Sequence, residues 1–228
     1  DVHHSQFRTG VFLLVNPTNF QTAGAQFADI ARRSISGLLH AAQRDIAARH
    51  GGLKNAEMAV IGMGKLGSGE MSLQSDLDLV IVCDSPDFAK TSDGAKPLAG
   101  DMWMARAARR LISGLTVPTP EGSLYNVDMR LRPSGNAGPL VTKMSSFTAY
   151  QQNDAWTWEH MALTQASVIA GSPELVKRLN ASMAEVICRP RNKRALADDV
   201  AAMRQRFFYT KKCAGRLMSK TGPAVSST

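Results

Sequence analysis

The sequence predicts an α+β fold, a small mixed sheet flanked by helices and followed by a helical region. Three observations carry this. Residues 57–63, Glu-Met-Ala-Val-Ile-Gly-Met, read as a buried strand running into the glycine-rich segment 64–69. Residues 75–82, Ser-Asp-Leu-Asp-Leu-Val-Ile-Val, read as a second strand that opens with carboxylates alternating with leucines. After a third strand over 122–132, the pattern turns to helical spacing at about 144–152, 154–168, 173–187 and 195–208.

The other elements follow in chain order. Residues 1–19 read as loop with one short apolar run, Val11 to Val15, punctuated by Pro17 and Asn19. From 20 to 50, Phe20, Phe27, Ile30, Leu38, Leu39, Ala42 and Ile46 recur mostly at helical steps, and His50-Gly51-Gly52 stops the helix. A short helix is expected after the glycine turn, to about Leu73, then a polar loop over 84–97. A helix over 101–116 places Met102, Ala105, Leu111, Ile112 and Leu115 on its inner side. Pro133 to Pro139, rich in Gly, Asn and Ser, must be loop. The expected division is 1–52 as N-terminal loop and helix, 53–142 as catalytic core, 143–204 as helical region and 205–228 as basic tail.

The 228 residues, 44% apolar and 20% charged, are those of a globular chain with a real core. The first residue is Asp1, which suggests a piece of a longer polypeptide. No apolar run reaches the ~18 residues of a membrane span. Cys83, Cys188 and Cys213 are too far apart for a zinc motif or a disulfide framework, so a reducing cytoplasm is expected. The net charge of +8 favours a polyanionic ligand, although the basic residues gather partly in a tail over 189–220 that reads as solvated.

The chemistry concentrates at Gly67-Ser68, Asp76-Leu77-Asp78 and Asp128. Residues two apart in a strand point to one side, so Asp76 and Asp78 would face a common site while Leu77 and Leu79 face the core. Asp128, from a neighbouring strand, would supply a third carboxylate. Aligned carboxylates repel unless a cation lies between them. A hard cation such as Mg²⁺ takes oxygen ligands and fills its remaining positions with water and substrate phosphate. Two such ions ~3.5–4 Å apart clamp an in-line displacement at phosphorus. The expected site is therefore catalytic Asp76, Asp78 and Asp128, which are also the metal ligands. Gly67 and Ser68 grip phosphate, with Lys65 at the turn, and Arg130 and Arg132 share the strand face of Asp128 to neutralise triphosphate. A lone Asp-x-Asp is most often a solvated strand end; the ordered set of turn, pair and later Asp is what argues for nucleotidyl transfer. It is not a P-loop, because the Gly-Lys-Ser/Thr ending is absent.

These motifs resemble the polymerase-β-type nucleotidyltransferase superfamily. Gly62-Met-Gly-Lys-Leu-Gly67, Glu70, Ser75 to Leu79, Val127 to Gly135 and Ala155-Trp-Thr-Trp-Glu-His160 are similar to the glutamine synthetase adenylyltransferase family over about residues 5–200. The segment Tyr150 to Leu163 is closer to the C-terminal, adenylylating half of that two-halved enzyme than to the removing half. The resemblance implies a polymerase-β-like core and Mg²⁺-dependent transfer of AMP from ATP to a tyrosine hydroxyl of glutamine synthetase, in the control of nitrogen assimilation. It also implies a PII signalling protein and glutamine as regulators of the full-length enzyme, to which no residue here is assigned. The family usually has a second glycine where Ser68 stands. Its pattern ends near Arg204, and 205–228 reads either as an unrelated end or as ordinary divergence.

Alternatives from other classes are phosphorolytic removal of AMP, a nucleic-acid nucleotidyltransferase, and an inactive nucleotide-binding fragment. The chain lacks a basic–aromatic module that stacks single strands, which argues against nucleic acid. Trp156, Trp158 and His160 read as packing anchors, Glu159 as the neutraliser of Arg130 or Arg132, and Cys83 as buried and inert.

Overall fold

A computed structural model describes residues 2–86 and 90–218, with side chains described as far as 205. The sheet is mixed, with strands β1 (Glu57–Gly62), β2 (Leu77–Asp84), β3 (Val127–Asp128), β4 (Val141–Lys143) and β5 (Ser167–Gly171). Its order is β3-β2-β1-β5, with β4 on the same edge of β2 as β3 but further along. β1 runs antiparallel to β2 and β5; β2 runs parallel to β3 and β4.

Helices cover both faces. On one side lie α1 (Val2–Val15), α2 (Phe20–His50) and α4 (Gly100–Thr116), closing on Leu77, Leu79, Ile81 and Cys83 of β2. On the other, α5 (Met144–Asn153), α6 (Thr157–Leu163) and α7 (Pro173–Cys188) close on Val80 and Val82, with Phe147, Leu163, Leu175 and Leu179 filling the space. The two-residue period of β2 thus divides its side chains between two cores, and Asp78 falls on the α5–α7 side. The five-residue α3 (Gly64–Ser68) joins β1 toward β2, and α8 (Lys193–Met218) ends the described chain. Among the described residues no helix is long and apolar enough to cross a membrane.

Several expectations are corrected. Residues 2–15 are helix rather than loop. The fully buried residues of α1 are Gln6 and Thr9, and Val2, Phe12 and Leu13 are only partly buried against the core, so polar residues interrupt the apolar period of its inward face. In α2 the buried row is Ala23, Phe27, Ala28, Ala31, Ile35, Leu39, Ala42 and Ile46, whereas Phe20 lies 63% exposed. The inner face of α4 is Trp103, Met104, Ala107, Ala108, Leu111 and Leu115, with Met102 on the outside. Residues 64–68 of the glycine segment are themselves helical rather than preceding a helix, Gly69 ends that turn in a left-handed conformation, and no helix continues to Leu73. The third strand shrinks to Val127–Asp128, and Ser167 and Val168, expected to end a helix, instead begin β5, which pairs with the open edge of β1. The region 143–204 therefore contributes a strand as well as helices. Of the expected tail, 205–218 continues α8, and 219–228 lies outside the described residues.

At the end of the sheet far from Asp78, Arg178 of α7 is forked between Glu57 of β1 and Asp84 of β2, and Ser172 Oγ donates to Glu57 at 3.0 Å. The pairs are partly exposed, so their strength is modest. Arg178→Ala is expected to cost about 1 kcal/mol and to lower Tm by about 2–4 °C, read by thermal circular dichroism. No change in Tm would show that the clamp contributes nothing.

Candidate active site

β2 and β3 align Leu77 with Val127 and Asp78 with Asp128, and the Leu77 N–H donates to Asn126 O at 2.9 Å. Equivalent residues on parallel strands project to the same face, so the Asp78 and Asp128 carboxylates are neighbours. Asp76 stands one residue before β2, exposed at its mouth. Asp128 is therefore on the same side of the sheet as Asp78.

The electrostatics record this crowding. Burial raises the Asp78 carboxyl above its ordinary 3.8, and the charges of Asp128 and then Asp76 push the same way. Asp128 is held below that value, chiefly because Arg130 hydrogen-bonds its carboxylate. The raised value means that the ionised Asp78 costs the folded state stability at neutral pH. That cost fades as pH falls through its pKa, which lies above 3.8. Asp78→Asn is accordingly expected to raise the Tm of the metal-free protein by about 1–3 °C near pH 7. The gain should shrink as Asp78 becomes protonated in the wild type, and a gain that persists unchanged into acid would refute the assignment.

α3 bends tightly against this pair. The Met63 N–H donates to Asp78 O at 2.9 Å. Gly64 has φ +51°, and a Cβ there would lie 3.0 Å from Asp78 Oδ2, so only glycine lets the backbone wrap the carboxylate this way. Gly67 serves packing instead. A Cβ on it would come within 2.0 Å of Gln165 O and 2.5 Å of Gly62 O, so it lies against the chain entering β5. Ser68 is exposed and its Oγ donates to Glu70 Oε2 at 3.3 Å; Lys65 is also exposed. Arg32 of α2, which sequence reasoning missed, donates to Leu66 O at 3.2 Å and Gly67 O at 3.3 Å. It holds the C-terminal end of α3, and no local pattern announces a partner so distant in the chain.

The two arginines part company. β3 ends at Asp128, so neither shares its strand face as expected. The Arg130 guanidinium folds back onto Asp128, while Arg132 donates to Met129 O at 2.7 Å, Gly138 O at 3.4 Å and Asn136 O at 3.5 Å, closing the 133–138 loop. Glu159 does not meet either. It accepts from Tyr150 Oη at 2.8 Å and from the Trp156 N–H at 2.9 Å. Trp156 and Trp158 are 68% and 42% exposed rather than packed, and His160 is held between Gln151 O and Arg191. Cys83 is buried, and burial pushes its thiol up to about 12, so it is inert.

A sequence model of the glutamate-ammonia ligase adenylyltransferase family matches residues 2–182. The chain belongs to that family. It is 46% identical over 200 residues to a bifunctional glutamine synthetase adenylyltransferase/adenylyl-removing enzyme of Brucella suis biovar 1, a match covering 88% of this chain and 20% of the relative. A protein of the same name from Bradyrhizobium sp. (strain ORS 278) is 45% identical over 201 residues, again covering 88% and 20%. The chain thus spans about a fifth of the length of the curated relatives it matches. In this adenylyltransferase family member, Asp76, Asp78, Asp128, Gly64 and Arg130 meet at one mouth of the sheet. Gly67 and Arg132 are committed to backbone contacts beside it, and Ser68 and Lys65 stand on the exposed turn.

The acids fit a magnesium ion by the chemistry of the donor set: hard oxygens, one of them destabilised by its neighbours' charge. Among the described residues no three acidic, His or Cys side chains converge tightly enough to cage a metal unaided. A groove of about 1030 Å³ between α1, α2 and residues 69–74 is lined by Phe7, Leu14, Phe20 and Leu73 rather than by these acids.

Proposed function

We propose that this chain carries a Mg²⁺-dependent site that transfers AMP from ATP to a tyrosine hydroxyl of glutamine synthetase. The observation that carries it is the register of Asp78 with Asp128 on parallel strands, with Asp76 at the mouth. The relatives' printed names, glutamine synthetase adenylyltransferase/adenylyl-removing enzyme, supply the acceptor protein. The free thiols of Cys83 and Cys188 suit a reducing cytoplasm as its setting.

Asp76, Asp78 and Asp128 would hold the metal. Bound there, it would neutralise the phosphate oxygens and the departing pyrophosphate. The residues supply the rest. Asp128 as the carboxylate draws the proton of the incoming tyrosine hydroxyl and favours its oxyanion. Gly64 lets the start of α3 close on the Asp78 carboxylate. Arg130, exposed at the mouth, is placed to meet triphosphate charge. Ser68 and Lys65, on the exposed turn, complete the phosphate side. Control by a PII protein would act through parts of the longer enzyme.

The test is incubation with glutamine synthetase, Mg²⁺ and α-labelled ATP. Label on the acceptor supports transfer. Release of ADP from adenylylated glutamine synthetase and phosphate, without transfer, would reassign the site to the removing reaction that the relatives' names also carry. ATP binding by calorimetry with turnover in neither direction would leave only a nucleotide-binding module.

A further inference from the structure

Both oxygens of Asp128 are engaged by one residue. Oδ1 accepts from the Arg130 backbone N–H at 2.8 Å and from its Nε at 3.1 Å; Oδ2 accepts from Nε at 2.8 Å and from Nη2 at 2.5 Å. Among the described residues, the hydrogen bonds of this guanidinium all go to Asp128, whereas Arg132 two residues on is tied to three carbonyls. The Arg130 side chain is 75% exposed and rises from the turn after β3, so it can swing away without moving the strand. It occupies the same two oxygens that a divalent cation would need.

We propose that Arg130 is a surrogate cation: it neutralises the acid cluster while no metal is bound, and is exchanged off Asp128 when the divalent ion enters. This rests on the reading of the three acids as a metal site. A guanidinium forked onto a carboxylate and a divalent ion on the same oxygens repel each other, so the two states exclude one another. The exchange has a consequence for the nucleotide. Freed from Asp128, the arginine stands at the mouth as a forked donor for phosphate, so one side chain opposes the bare metal and assists metal-bound ATP.

Opposite signs for one residue form the test. Mn²⁺ alone is titrated into the wild type, Arg130→Gln, Arg130→Lys and Asp128→Asn, with free Mn²⁺ read by electron paramagnetic resonance. Affinity for Mg·ATP is measured in parallel by calorimetry. Arg130→Gln is expected to bind Mn²⁺ about two- to fivefold more tightly, the scale of an exposed ion pair, and Mg·ATP more weakly. Arg130→Lys, which keeps the charge but not the fork, should lie between. In the wild type, the Arg130 Nε–H resonance should lose its hydrogen-bonded position as Mg²⁺ is added. Equal or weaker Mn²⁺ binding by folded Arg130→Gln, or an Nε–H resonance unmoved by Mg²⁺, would overturn the exchange while leaving the metal site standing. Mn²⁺ binding that Asp128→Asn does not weaken would overturn the metal site itself, and the exchange with it.

Discussion

Asp128→Asn is expected to lower AMP transfer about 10³-fold, the scale seen when one preorganised charge-stabilising group is lost. The substitution keeps the side chain's shape and removes the charge that, in the proposed reaction, holds the metal and attracts the tyrosine proton. It should leave the fold almost untouched. Asp128 lies at the open end of a two-residue strand and its partner Arg130 is exposed, so the lost pair is of the kind that contributes little to stability. The measurement is labelled-AMP transfer to glutamine synthetase beside thermal unfolding. A Tm within about 2 °C of wild type combined with lost transfer is the expected pattern, and Asp76→Asn should share it. Full transfer by both variants would remove these residues from the chemistry. Loss of activity together with loss of fold would move Asp128 from chemistry to structure.

Gly67→Ala is expected to have the largest effect on stability. The added methyl would lie 2.0 Å from Gln165 O, 2.5 Å from Gly62 O and 3.0 Å from Ala166 Cα. All three are backbone atoms, so no side chain can turn aside. β5 and α3 must separate, which also breaks the Ser167 Oγ to Gly67 O bond of 3.2 Å. Overpacking against fixed backbone should cost more than about 3 kcal/mol, lowering Tm by about 6–12 °C or leaving the protein insoluble. Gly69 makes a useful control. It needs glycine for its φ of +79°, but its nearest neighbour is the tip of the Arg32 side chain at 3.8 Å, so Gly69→Ala should cost only the backbone strain. Equal losses for the two variants would show that conformation, not the close approach of β5, is what glycine supplies at 67.

The side of the sheet that Asp78 takes was legible because strand alternation is a local rule. Asp78 between two leucines at 0% exposure could face only one way, and the same rule placed Asp128 opposite Val127 and Met129. β1, β2, α2, α4 and α7 were legible for similar reasons, since their buried rows repeat at the period of one element. What failed was whatever depends on a distant partner. α1 is helical although its fully buried residues are Gln6 and Thr9, with Val2, Phe12 and Leu13 only partly buried against the core, so polar and apolar residues share its inward face. Residues 167–171 became a strand because β1 offered an unpaired edge, which no window around Ser167 contains. The arginines after Asp128 were read as strand residues, and only the turn at 129–138 shows one clasping Asp128 and the other bracing the loop. Spacing along one element, together with the resemblance it supported, was thus enough to name the family and to place Asp78 and Asp128 on one side of the sheet. The partners of Gly67, Arg32, Arg130 and Arg132 were decided only when the chain closed on itself, because hydrogen bonds and close contacts between segments far apart in sequence leave no period in either.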